Sequence, residues 1–162
     1  MKPTTDVSLV REILRRAFGH EILSEAHLSR PDVYAFANEA GAAVYSRERA
    51  GLYAIIVGRA PEADGASFKK LLNDAISWLF LHTDALVVRG VIHKANEACR
   101  ALVPHVMGTL PAREVNGTIV TDTVFGRWAK AYGIDKALSE LRAAGQHDKA
   151  DKLAKAVDGR NG

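Results

Sequence analysis

The chain has 162 residues, 48% of them hydrophobic and 25% charged, which suits one packed domain with at most a small appendage. Its net charge is +3, and basic residues are scattered among acidic ones, so it carries no electrostatic footprint for nucleic acid. The start is polar through Ser8, which argues against a signal peptide, and no apolar run approaches a membrane span. The single cysteine, Cys99, excludes an internal disulfide and fits a reducing compartment such as the cytoplasm.

In chain order, Met1–Thr5 reads as frayed. Asp6 is placed to cap a helix whose apolar positions are Val7, Val10, Ile13, Leu14 and Phe18, and Gly19 is placed to stop it. Arg11, Arg15 and Arg16 fall on its outer face and read as a solvated basic surface. His20–Arg30 is either a second short helix or an irregular segment, ended by Pro31. Val33–Ala37 and Ala42–Tyr45 flank Asn38-Glu39-Ala40-Gly41 and read as a hairpin. Ser46–Ala50 reads as a charged turn into the apolar strand Leu52–Val57, which completes an antiparallel meander.

That strand ends at Gly58 and feeds the loop Arg59–Gly65. Phe68, Leu71, Leu72, Ala75, Ile76 and Leu79 then recur at helical spacing and predict an amphipathic helix over Ala66–Leu81. Ala85–Ile92 is β-branched and apolar and reads as a strand, followed by a helix over Asn96–Met107. Strand, helix and strand joined by short loops imply a right-handed crossover and a parallel pair. In such sheets ligands bind beyond the carboxyl ends of the strands, here around Gly58–Gly65 and His93–Asn96.

Beyond Gly108, Ala112–Val115 and Thr118–Phe125 flank Asn116-Gly117, the strongest hairpin signal in the chain. Trp128, Ala131 and Tyr132 lead to Gly133. The tail is helical by composition, with one stripe at Leu138 and Leu141 and another at Ala150, Leu153, Ala154 and Val157, broken at Gly145-Gln146-His147. This divides the chain into a main domain, 1–132, and a C-terminal helical extension, 133–162, packed on the domain or on a partner.

The order helix, three-strand meander, crossover helix, parallel strand, helix, hairpin resembles the GNAT superfamily of N-acetyltransferases over Val7 to Phe125. Asn96-Glu97-Ala98-Cys99-Arg100-Ala101-Leu102-Val103, with Gly108 soon after, looks like that family's Asn-x-x-Ala-x-x-Leu-Tyr helix. The compact form looks most like members encoded by tailed phages. The resemblance implies a mixed α/β sheet, mostly antiparallel with one parallel crossover pair, with helices on both faces. It implies acetyl-CoA as cosubstrate, an amine acceptor that is a small molecule or a protein, and no membrane or specific nucleic-acid partner. A homodimer or protein partner would engage through the C-terminal helices.

On this resemblance the cosubstrate is held by Val57, Gly58, Arg59, Gly65, Ala66, Ser67 and Asn96. The family's pyrophosphate loop reads Gln/Arg-x-x-Gly-x-Gly/Ala; here it is Glu62-Ala63-Asp64-Gly65-Ala66-Ser67. Glu62 and Asp64 oppose an anion at a helix N-terminus that otherwise favours one, while Arg59, Lys69 and Lys70 offset them. Equally, Asp64 or Ser67 simply caps that helix. The family's tyrosine falls on Val103, which cannot protonate a thiolate. Leu52–Val57 offers Tyr53 as its only ionisable side chain; Tyr53 and His93 are the catalytic candidates, with His93 the best substitute for a general base. Asn96 either contacts the pantetheine arm or caps its helix. Cys99 and His105 lie on different helix faces, and Cys99 reads as core. The other histidines, His20, His27, His82 and His147, have no metal-ligand spacing, and Trp78 and Trp128 read as packing anchors. These departures leave a second reading open, a non-catalytic binding or structural protein on the same fold, such as a phage virion component or an inhibitor of a host protein.

Overall fold

The computed structural model describes residues 1–93, 102 and 105–161. Helix α1 (Val7–Phe18) begins where the Asp6 carboxylate accepts the Leu9 amide and ends at Gly19 in the left-handed conformation (φ 82°). A single helical turn, α2 (Glu25–Leu28), follows, capped by Ser24. Strands β1 (Val33–Asn38), β2 (Gly41–Arg49) and β3 (Leu52–Arg59) form the antiparallel meander. Helix α3 (Gly65–His82) crosses over to β4 (Val87–His93), which is parallel to β3. Strands β5 (Arg113–Val115) and β6 (Thr118–Val124) form the last hairpin, with Asn116 at φ 50° and Gly117 at φ 80° in its turn. Helices α4 (Phe125–Tyr132), α5 (Ile134–Ala143) and α6 (His147–Asn161) complete the chain. Among the described residues the strands form one six-stranded sheet in the order β1-β2-β3-β4-β6-β5, so the mixed α/β class expected from the sequence is the one observed.

Alternation along the strands supplies two apolar faces. Val33, Ala35, Ala42, Val44 and Ile56 pack under α1 and α2. Phe36, Ala43, Tyr45, Tyr53, Ile55 and Val57 pack on the other face with α3. Covering both faces explains why β2 is buried without interruption from Gly41 to Tyr45.

One boundary differs from the expectation. Strand β2 does not stop at Tyr45: it runs through Ser46 to Arg49 with a bulge between Arg47 and Arg49, so Ser46–Ala50 is mostly strand rather than turn. Its charged residues are tolerated because Arg47 reaches Asp84 at 2.8 Å. The helix expected over Asn96–Met107 falls largely outside the described residues; Leu102 is helical, and the chain is in a turn by Val106–Gly108. Gly108 is needed there, because φ is 85° and an added Cβ would stand 2.8 Å from the Trp128 backbone.

The tail shares the main core. Ala137, Leu141 and Ala150 are fully buried and belong to the same cluster as Phe80 and Trp128. This gives α3 a second buried face, including Ser77, Phe80 and Leu81. Trp128 Nε1 donates to Ser77 Oγ at 2.9 Å. Lys149 Nζ donates to the carbonyls of Phe80 (2.6 Å) and Thr83 (3.1 Å) at the end of α3, where the helix dipole favours a cation. Burial pulls the Lys149 ammonium down to about 8.

Candidate functional site

The parallel pair is short. Strands β3 and β4 pair only through Leu52↔Val87, Tyr53↔Val88, Ala54↔Arg89 and Ile55↔Gly90. Beyond that rung β3 continues to Arg59 and β4 to His93 without pairing. Each follows its outer neighbour instead: β3 stays on β2 as far as Arg59↔Gly41, and β4 stays on β6 as far as His93↔Thr118. The two antiparallel partners draw the strands apart and leave a wedge at their carboxyl ends.

The wedge opens onto a cavity of about 290 Å³. On the α1 side it is lined by Phe18, Ile22, Ile56 and Val91. On the α3 side its walls include Tyr45, Ile55, Val57, Leu72, Ile76, Val88, Ile92 and Val106. Thr109, Thr121, Thr123 and Tyr45 carry the side-chain hydroxyls among its described lining residues. Thr109 and Thr123 bond each other at 3.0 Å, whereas Thr121 has no side-chain hydrogen bond among the described residues. Gly90 sits at the vertex; a Cβ there would stand 2.9 Å from Thr121 Oγ1 and 3.2 Å from Ile55 Cγ2. The α1-side mouth is exposed, Val91 being 63% and Phe18 38% accessible.

The loop between β3 and α3 follows directly on the unpaired end of β3, and its charges are already engaged. Asp64 caps α3, its Oδ1 accepting the Ser67 amide at 2.7 Å, and that amide holds the Asp64 carboxyl below the ordinary carboxylate range. Glu62 pairs with Arg16 at 3.0 Å; its own backbone amide and then that guanidinium keep its carboxyl low. The Arg59 guanidinium donates twice to the Ala63 carbonyl, at 2.6 and 3.0 Å, which fastens the loop to itself. Lys70 pairs with Asp74 at 2.6 Å, leaving Lys69 without an ion-pair partner among the described residues. A Cβ on Gly65 would meet nothing within 4 Å, so the first turn of α3 stands open in front of that residue.

The expected site residues divide into three groups. Val57 lines the cavity, Gly58 and Arg59 continue the unpaired stretch of β3, and Gly65, Ala66 and Ser67 form the first turn of α3. Gly58 also has a packing reason, because a Cβ there would approach Ala17 Cβ at 2.9 Å and Leu14 Cδ2 at 3.0 Å. The backbone of His93 ends β4 on the opposite side of the gap, while Asn96, Cys99 and Val103 lie outside the described residues.

Tyr53 belongs elsewhere, and this corrects the expectation of a catalytic tyrosine in the wedge. It sits two rungs before the vertex, 2% exposed, with its hydroxyl donating to Asp84 Oδ1 at 2.8 Å. Burial and that carboxylate raise its pKa, so it stays protonated and structural. Sequence reading missed Gly90, Thr121 and Thr123. Thr121 and Thr123 alternate onto one face of β6, a period-2 signal that is visible, but only the register opposite Gly90 and Val88 places them at the cavity.

No protein-family model matches the chain, and no curated protein matches it. Solved structures do match. One is a chimera of the spermidine N-acetyltransferase SpeG from Vibrio cholerae and hSSAT, at TM-score 0.61 and 13% identity over 80% of this chain and 98% of that one. A point mutant of V. cholerae SpeG matches at TM-score 0.62 and 12% identity, over 82% and 96% of the two chains. Mutant forms of the spermidine/spermine N-acetyltransferase SpeG from the same organism match at TM-score 0.59 and 14% identity, over 79% and 93%. The fold of this protein is the GNAT fold, in divergent form.

Proposed function

We propose that the protein is an N-acyltransferase that takes an acyl group from a coenzyme A thioester, acetyl-CoA being the simplest donor, and transfers it directly to an amine. One observation carries the reading: the parallel pair parts after four rungs and opens onto an apolar cavity. Such a gap presents unpaired strand backbone to a pantetheine arm, whose amides need partners, and an apolar interior to the acyl group.

Each residue then has a part. The backbone of Val57 and Gly58 hydrogen-bonds the arm. Thr121 Oγ1, beside Gly90 at the vertex, donates to the thioester carbonyl oxygen and stabilises the negative charge that develops there. The amine attacks the carbonyl carbon; the C–N bond forms, the C–S bond breaks, and the thiol leaves with a proton from solvent. His93, at the end of β4, takes the proton of the amine directly or through water. Positioning supplies most of the acceleration, so the reaction does not require a carboxylate base.

The α3 terminus fits a pyrophosphate poorly, because Asp64 already accepts the Ser67 amide and Glu62 stands beside it. Binding therefore rests on the arm and the acyl group more than on the phosphates. The same capped terminus is the observation that favours the second reading, a GNAT-fold protein that binds a partner without catalysis.

A melting curve separates the two. Acetyl-CoA at about a hundredfold above its Kd adds about 2.7 kcal/mol. For a chain of this size that raises Tm by roughly 5–10 °C. Gly65→Glu, which puts a carboxylate into the open space at the α3 terminus, should shrink the shift without removing it, because the phosphates contribute the smaller part of the binding. A curve unchanged at millimolar acetyl-CoA favours the non-catalytic reading.

A further inference from the structure

We infer that the acyl donor carries a medium-length aliphatic chain rather than acetyl, an inference that rests on the acyl-transfer reading above. The cavity does not end where the strands meet. Tyr45, which pairs with Ile55 at the last rung, and Val88, two rungs before Gly90, both line it, together with Leu72 and Ile76 from α3. The space therefore passes the vertex and continues between the sheet and α3. A pantetheine arm entering between the separated strands brings its thioester to the vertex, beside Thr121 and Gly90. Whatever is attached to the carbonyl carbon then points into the part beyond.

That part reaches further than a methyl group needs, since Tyr45, Val88, Leu72 and Ile76 line it beyond the vertex. The whole cavity, from the Phe18–Val91 mouth to the Leu72–Ile76 end, measures about 290 Å³. A cavity of about 150 Å³ lined by Leu, Ile and Phe stays dry and holds benzene; the space here is shared between the end of the arm and the acyl group. Of its threonine hydroxyls, Thr109 and Thr123 satisfy each other, and Thr121 lies at the neck. Among the described residues lining the deep part, the Tyr45 phenol is the one polar side-chain group. One hydroxyl is too few to hold a chain of water molecules, whereas each methylene buried there gains about 0.8 kcal/mol, close to fourfold in affinity. The absence of a side chain at Gly90 keeps the neck passable: a Cβ would come within 2.9 Å of Thr121 Oγ1.

The test is calorimetric titration of the full chain with coenzyme A, acetyl-CoA, butyryl-CoA and octanoyl-CoA. Affinity should rise with chain length, octanoyl-CoA binding at least about tenfold tighter than acetyl-CoA. Ile76→Ala deepens the cavity and should move the optimum to longer chains, a gain that partial unfolding does not mimic. Equal affinity for acetyl- and octanoyl-CoA, or a preference for acetyl, overturns this inference and leaves the acyltransferase intact. An optimum that Ile76→Ala does not move overturns it as well. No binding of any thioester or of coenzyme A overturns both readings together.

Discussion

The two ends of the β3–β4 pair are built in opposite ways. At the amino ends, one carboxylate stitches the structure shut. Asp84 accepts from Tyr53 Oη (2.8 Å), the Gly51 amide (3.1 Å) and the Arg47 guanidinium (2.8 Å), joining β2, β3 and the entry to β4. At the carboxyl ends no side chain bridges the strands among the described residues, and the space between them is apolar. The same two strands are therefore a fixed hinge at one end and an open jaw at the other. Parting the jaw exposes backbone that a ligand can satisfy, and the polar knot at the hinge keeps that parting from running down the pair.

Breaking the hinge should have the largest effect. Asp84→Ala leaves the buried Tyr53 hydroxyl without its acceptor and frees Arg47, a loss of about 3 kcal/mol in denaturant unfolding. The Arg47 guanidinium, with Tyr53 and the Gly51 amide, holds the Asp84 carboxyl down to about 2. A depressed carboxyl stabilises the fold fully above its unfolded value of 3.8, and that contribution is lost as pH falls toward 2. Asp84→Asn should flatten the acid limb of the stability profile in that window. An unchanged acid limb would show that the hinge is held by packing alone.

The jaw has its own weak point. Gly58→Val sets a branched side chain against Ala17 and Leu14, at 2.9 and 3.0 Å from its Cβ, and should cost about 1–3 kcal/mol by pushing α1 off β3. Because α1 also carries Phe18 to the cavity mouth, thioester binding should weaken along with stability. Loss of stability with unaltered binding would separate α1 from the site.

The smallest change is the most informative about the ligand. Asp64→Ser keeps a side-chain cap on α3 and removes the charge, at a stability cost under about 1 kcal/mol. If phosphates approach that terminus, coenzyme A should bind several-fold tighter to the variant in calorimetry, since helix N-termini favour anions. An unchanged Kd places the phosphates elsewhere.

Much of the frame was legible beforehand. The 3.6-residue spacing of Phe68, Leu72, Ala75 and Leu79 identified α3, and Asp6, Gly19 and Asn116-Gly117 marked ends and a turn at the positions observed. The site was legible as a place more than as a set of groups. Val57, Gly58 and Gly65 were legible as a strand end and a helix start because strand ends and glycines are local signals. Thr121 and Gly90 were not, because neither is unusual until register sets one beside the other. Tyr53 was misplaced for the same reason: its partner Asp84 is 31 residues away, and an alternating strand does not tell which of its ends is tied.

The sequence by itself determined most of the elements, their order and that one strand pair is parallel, since hydrophobic periodicity and turn chemistry act within a few residues; it left α2 open and gave no helix over Phe125–Tyr132. Only the tertiary structure decided how far that pair stays zipped, that Asp64 fills its own helix terminus, and that the tail buries the second face of α3. Those outcomes depend on competition between distant partners: β2 and β6 each claim one strand of the pair, and the wedge is what remains when both claims are met.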